Sequence, residues 1–255
     1  MRLQLPPARC QQPPTLLLSA RRADASIQLM TLNAFREACQ NAAPSPLFLF
    51  CLHALSVAAF GQAPVSKTAT SQEIKNFFRS KAKTTLTFVG YSGTGYENQA
   101  AMLDRAEQIL TEFDASKTIV NIGATPDGIG EIYKVAKQRG FLTTGIVSTQ
   151  AKEAKVPLSP FVDFVFYVRD ATWGGNLDGT HRLSPTSEAM VENSDIFVGI
   201  GGGEVARDEL LAAKRSGKKV LFFPADMNHR KAVESAKRKG LPIPTEFRGA
   251  AAAAF

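Results

Sequence analysis

From Thr84 onward the chain alternates between short, nearly continuous apolar runs and longer stretches whose apolar residues recur every three or four positions. The short runs predict strands at Thr85–Val89, Thr118–Ile122, Thr143–Val147, Val162–Val168, Asp195–Ile200 and Lys219–Phe223. The first long stretch predicts a helix from about Glu97, with Met102, Ala106, Ile109, Leu110 and Phe113 on one face. The second opens at Thr125-Pro126, a capping hydroxyl followed by a first-turn proline. It turns Ile129, Ile132, Val135 and Ala136 inward and stops at Gly140. Further helices span about Glu204–Ser216 and His229–Lys239. Apolar strands alternating with amphipathic helices predict a parallel sheet covered on both faces. The expected fold is a single Rossmann-like, doubly wound α/β domain over residues 84–248, with about six or seven strands. Residues 62–83 read as a linker or first helix, and the alanine-rich 249–255 as a frayed tail.

A different pattern precedes this body. Leu47 to Phe60 reads LFLFCLHALSVAAF, about fourteen residues with His53 as the only strongly polar member. A membrane-spanning helix needs roughly 20. The small-x-small triplet Ala59-Phe60-Gly61 follows, so residues 1–61 read as a targeting leader with a signal-peptide core at 47–60. Translation from Met30 would give that core a short basic approach carrying Arg36. The competing readings are an organellar transit peptide, because the segment bears Arg and few acids, and a buried helix of the fold. The expected location is secreted or periplasmic, with an organelle or the cytoplasm as alternatives, and no stable membrane span after processing.

Charge and cysteine divide along the same boundary. The formal net charge is +7, but residues 1–61 carry five Arg, no Lys and only two acids. The body keeps 25 basic against 21 acidic residues, too mild a surplus to imply nucleic acid. Cys10, Cys39 and Cys51 all precede residue 52, so the body offers no disulfide, thiolate metal site or cysteine nucleophile. His181 and His229 are far apart, and no metal is expected.

Glycines mark three strand ends, where ligands bind in open α/β sheets. They are Gly90-Tyr91-Ser92-Gly93-Thr94-Gly95, then Gly123 with Gly128 and Gly130, then Gly199-Ile200-Gly201-Gly202-Gly203 directly before Glu204 and its helix. Glycine lets the backbone approach an anion, and a helix amino end presents unpaired N–H groups, so phosphate is the natural guest. Any one such loop is equally a tight turn; three on one sheet edge favour a ligand. The dinucleotide fingerprint is absent, since the first loop is spaced G-x-x-G-x-G and the second strand ends in Asn121-Ile122-Gly123 without an acid. Neither G-x-x-x-x-G-K-[ST] nor G-x-S-x-G occurs. No cofactor is expected.

Several motifs over residues 84–225 resemble the Lonely Guy family. These are cytokinin-activating nucleoside monophosphate phosphoribohydrolases once labelled lysine decarboxylases, in a superfamily with nucleotide sensors and molybdenum cofactor carrier proteins. Val89-Gly90-Tyr91-Ser92-Gly93 is similar to the family's first glycine loop, and Gly128-Ile129-Gly130 with Ala136 and Gly140 to its second. Met190, Ser194-Asp195, Gly201-Gly202-Gly203 and Glu209 follow its M-x-x-x-S-D and P-G-G-x-G-T-x-x-E spacing. Gly201 stands where the family has proline, Val205-Ala206 where it has Gly-Thr, and Thr186-Ser187 where it has Arg-Lys. The resemblance implies a nucleotide-type ligand, a homodimer and Glu209 as the carboxylate associated with cleavage.

Two functions follow as expectations. The first is a carrier or sensor holding a nucleotide or pterin-like phosphate compound at Gly90, Ser92, Gly93, Thr94, Gly95, Gly123, Gly128, Gly201, Gly202, Gly203 and Glu204. The second is a phosphoribohydrolase of nucleoside 5′-monophosphates, with the Glu209 carboxylate stabilising charge on the ribosyl carbon or activating water. Arg182 and Arg207 are the candidates to replace the missing arginine. Glu204 and Asp208 read as solvated, while Tyr91, Asp127 and Trp173 are secondary candidates to touch base or ribose. Trp173, the only tryptophan, is equally a stacking residue or a packed one.

Overall fold

The computed structural model describes residues 63–178 and 180–255; the predicted leader, including residues 47–60, lies outside them. Seven strands form one parallel sheet: β1 (Val65–Thr68), β2 (Thr84–Gly90), β3 (Thr118–Ile122), β4 (Leu142–Ser148), β5 (Phe164–Val168), β6 (Ile196–Ile200) and β7 (Lys219–Phe223). Their order is β1-β5-β4-β3-β2-β6-β7. The chain steps outward from β2 through β5, then returns to the other flank of β2 with β6. Such a reversal makes the crevice in which α/β proteins hold ligands.

Helices α1 (Ser71–Lys81), α2 (Gln99–Thr111), α3 (Ile132–Gln138), α4 (Thr149–Glu153), α5 (Pro185–Glu192), α6 (Glu204–Arg215), α7 (His229–Lys239) and α8 (Gly249–Ala252) accompany the sheet. One core layer packs Met102, Ala106, Leu110, Ile132 and Tyr133 of α2 and α3 with Leu86, Phe88, Val120 and Ile122. The other packs Ile74 and Phe78 of α1, Met190 of α5, Leu210 of α6 and Ala251 of α8 with Ile119, Ile146, Phe166 and Phe197. Burial of both sheet faces explains why these strands read as apolar runs instead of alternating ones.

Besides α4 and α5, which the hydrophobic pattern does not predict, three elements depart from the sequence expectation. Within 62–83, Val65–Thr68 is a strand although all four residues are exposed; it pairs with β5, from Val65 beside Phe164 to Thr68 beside Tyr167, and covers an open edge. The helix expected from Thr125-Pro126 begins later, as a 3-10 turn at Gly128–Glu131 running into α3. Thr125 stays in the loop because its carbonyl occupies the space beside Gly130, where a Cβ would lie 1.8 Å from it. The tail expected to fray instead ends in α8, with Ala251 fully buried and its N–H donating to Gly202 O at 3.0 Å.

A buried polar net ties α5 to the sheet. Asn121 Nδ2 donates to Thr87 Oγ1 (3.2 Å) and contacts Met190 Sδ (2.9 Å), while Thr144 Oγ1 donates to Asn121 Oδ1 (3.0 Å). Ser194 Oγ donates to Met190 O at 2.7 Å, and Asp195 Oδ2 accepts the Thr85 N–H at 2.7 Å. The M-x-x-x-S-D spacing therefore serves here as a joint between helix and strand. No helix among the described residues is long and apolar enough to cross a membrane.

Candidate functional site

Three strand ends open onto one cleft of about 510 Å³. Phe88–Gly90 of β2, Ile122 of β3 and Ile146–Ser148 of β4 form its floor. The loop after β2 adds Ser92 and Gly93, and the loop after β3 adds Gly123–Asp127. Thr186 and Met190 of α5, Val205, Ala206 and Glu209 of α6, Val156–Leu158 and Trp173 complete the walls.

The loop after β3 reaches the cleft through an unusual backbone. Ala124 adopts a left-handed conformation (φ 58°), its N–H held by the Tyr133 hydroxyl (3.2 Å) and its carbonyl by the Ser159 N–H (2.9 Å). Gly145 of β4 makes room for it, since a Cβ there would lie 2.6 Å from that of Ala124.

The polar character of the cleft comes mainly from main chain. Among the described residues, the N–H groups of Ser92, Gly93 and Gly123 meet no protein acceptor. A Cβ at Gly93 or Gly123 would find nothing within 4 Å, so the space beside both is open. Helix α6 begins at the same rim; its cap residue Gly203 has no side chain to engage the first-turn amides, and Val205 and Ala206 stand in the wall. Such a terminus carries a partial positive charge. Among the described lining residues there is no Lys, Arg or His, and the ionisable ones are Asp127 and Glu209.

Glu209 is 4% exposed and accepts a hydrogen bond from Ser187 Oγ at 2.6 Å. Ser187 Oγ in turn accepts the Gly175 N–H at 2.7 Å. Burial lifts the Glu209 carboxyl to about 7; the Ser187 hydrogen bond opposes the rise, and the neighbouring Asp208 charge adds to it. At Asp170 burial pushes the same way, but hydrogen bonds from Thr186 and Thr172 outweigh it and hold the carboxyl below its usual value. Asp170 Oδ2 accepts the Thr186 N–H at 2.9 Å and Oδ1 the Thr172 N–H at 2.8 Å, which fixes the loop after β5 against α5.

Of the residues singled out in the sequence, Gly90, Ser92, Gly93, Gly123 and Glu209 line the cleft; Thr94, Gly95, Gly128, Gly201, Gly202, Gly203 and Glu204 do not. Gly95 (φ 69°) closes a turn with its N–H on Ser92 O. Gly128 (φ 60°) lets two loops touch, for a Cβ would lie 2.2 Å from Tyr91 O and 2.3 Å from Ser92 O. The loop at Gly201–Gly203 is the seat of the C-terminal segment: Gly202 O receives the Ala251 N–H, and a Cβ on Gly249 would lie 2.4 Å from Gly202 O. Tyr91 belongs to the same joint, its hydroxyl donating to Arg248 O at 2.6 Å.

Asp208, expected to be solvated, is buried, with Oδ1 accepting from Arg207 Nε (2.9 Å) and Oδ2 from the Asn176 N–H (2.9 Å). Arg207 and Glu204 line a separate polar cavity of about 410 Å³ with His181. Arg182 lines neither cavity. Neither arginine lines the cleft beside Glu209. Asp170, the Val156–Leu158 wall and the bond from Ser187 to Glu209 were not expected from the sequence; for Ser187 the signal was its place in the family's Arg-Lys position.

No family model and no curated protein match the chain. Solved structures similar to it include two of the molybdenum cofactor carrier protein of Chlamydomonas reinhardtii. One is 22% identical over 55% of this chain and 76% of that one, with a TM-score of 0.39. The other is 20% identical over 62% and 85%, with a TM-score of 0.39. A structural-genomics target named TM1055 is 23% identical over 54% and 72%, with a TM-score of 0.38. The α/β Rossmann-like fold itself rests on the chain's own strand order and layers.

Proposed function

We infer that the protein binds a small phosphate-bearing compound of nucleotide type, as a carrier or sensor. One observation carries this reading: Ser92, Gly93 and Gly123, whose amides have no protein acceptor, line one cleft together with Val205 and Ala206 of the first turn of α6. A phosphate accepts from such donors and gains from the helix dipole. The apolar remainder of the lining suits the rest of the ligand. Because the described lining holds no cation, hydrogen bonds to the main chain would supply the attraction. Thermal unfolding of the purified protein with AMP and with inorganic phosphate tests the reading. Ligand at a hundred times its Kd stabilises by about 2.7 kcal/mol, a rise of roughly 5–10 °C in Tm for a domain of this size. No shift with either at millimolar concentration counts against it.

Glu209 favours a second reading, hydrolysis of the N-glycosidic bond of a nucleoside 5′-monophosphate. A carboxyl with a pKa of about 7 exchanges a proton readily at neutral pH, as an acid or base catalyst must. Incubation with AMP should then release ribose 5-phosphate, and Glu209→Ala should abolish the release. Absence of turnover by wild-type protein that binds AMP returns the first reading.

A further inference from the structure

Trp173 is the chain's single tryptophan, and it is 56% exposed although it lines an otherwise largely apolar cleft. Its indole stacks on no other ring among the described residues. The main chain on either side is held firmly. Thr172 is fixed by Asp170, while Gly174 N–H donates to Thr172 Oγ1 (3.2 Å), Gly175 N–H to Ser187 Oγ and Asn176 N–H to Asp208 Oδ2.

Two glycines bring the loop down onto α5 and α6. Gly174 has φ 112°, and a Cβ there would lie 3.1 Å from both Ser187 Oγ and Val205 Cγ1; Gly175 has φ 82°, with Asp208 Oδ2 at 3.3 Å from the same position. The segment thus passes directly over the residue that bonds Glu209 and over the first turn of α6. It presents one large planar side chain, without a ring partner of its own, to the space above the amides. An indole exposed beside an apolar wall offers a face on which a flat ring can stack.

We propose that Trp173 determines ligand specificity, stacking on the planar heteroaromatic ring of a compound whose phosphate is held by the cleft's amides. The proposal rests on the phosphate-binding reading above and adds the chemical class of the ligand's other end. Val156–Leu158, which line the same cleft, offer that ring further apolar contacts.

A lone tryptophan is its own reporter. Titrating the protein with AMP should quench and blue-shift its emission, whereas ribose 5-phosphate, which lacks the ring, should bind more weakly and leave the emission unchanged. Calorimetry of Trp173→Ala should show AMP affinity reduced about tenfold or more, the range of base–aromatic stacking by alanine substitution. Trp173→Phe should keep most of the affinity, and circular dichroism should show both variants folded, since the side chain is largely exposed. AMP binding by calorimetry with unchanged emission and unchanged Trp173→Ala affinity overturns this inference and leaves phosphate binding intact. Equal affinity for AMP and ribose 5-phosphate does the same. Failure of AMP, ribose 5-phosphate and inorganic phosphate alike to bind removes both.

Discussion

At Glu209 two demands conflict. The Ser187 hydroxyl favours the ionised carboxylate, and burial beside Asp208 favours the neutral acid. Burial wins, which places the carboxyl at about 7 against an ordinary 4.5. The folded protein therefore holds this proton more tightly than the unfolded chain. Its contribution to stability is fully present below about pH 4.5, declines as pH rises, and is gone above about pH 7. At about 1.36 kcal/mol per pH unit, the swing is roughly 3 kcal/mol. Glu209→Gln has no such proton to lose. Urea unfolding at steps between pH 5 and pH 8 should show a flatter stability profile for the variant, which becomes the more stable protein at pH 8. Parallel profiles across that range would mean that Glu209 titrates as an ordinary carboxyl.

At the scale of elements, the surprise is how much the third glycine loop does for the C-terminal segment. Gly249 combines a left-handed backbone (φ 70°) with close approach to Gly202 O and the Tyr91 hydroxyl, at 2.4 and 2.5 Å from a Cβ position. Gly217 shares the conformation (φ 73°) but has nothing within 4 Å. Replacing each by alanine separates the two effects. Gly217→Ala should cost about 1 kcal/mol, the left-handed penalty alone. Gly249→Ala should cost about 2 kcal/mol or more, because α8 must also lift from its seat. Equal losses in denaturant midpoint would show that the segment contributes little to the fold.

The same scale explains what the sequence revealed. Strands buried on both faces, such as Thr118–Ile122 and Ile196–Ile200, announce themselves as apolar runs. Edge strand β1 does not, because Val65–Thr68 is exposed and defined only by its pairing with β5. Helix α5 escaped notice because its buried residues include Thr186 and Ser187, which read as polar surface. The cleft was legible at Gly93, Gly123 and Glu209, which sit at strand ends or just inside a helix. Gly128, Gly201 and Gly202 looked alike in sequence but serve close packing, a distinction that depends on which carbonyls and side chains pass nearby.

For the molecule as a whole, we propose that residues 1–61 are a cleaved leader, a reading that the sheet constrains. The apolar run at 47–60 and the triplet Ala59-Phe60-Gly61 predict cleavage that leaves Gln62 as the first residue. The sheet independently limits where a cut is tolerable, because β1 starts at Val65 and closes the edge of β5. A cut after Gly61 leaves three residues before that strand; a cut a few positions later would remove it and expose the ladder of β5, a template for unwanted pairing. Cleavage also removes five arginines against two acids, which lowers the formal charge of the product from +7 to +4. Expression of the full chain in a secreting host should therefore release a soluble product whose amino-terminal sequence reads Gln-Ala-Pro-Val. A 27.5 kDa chain retained whole inside the cell would overturn the secretory reading. A product beginning after Thr68 that still folds would instead show that the domain does not need its edge strand.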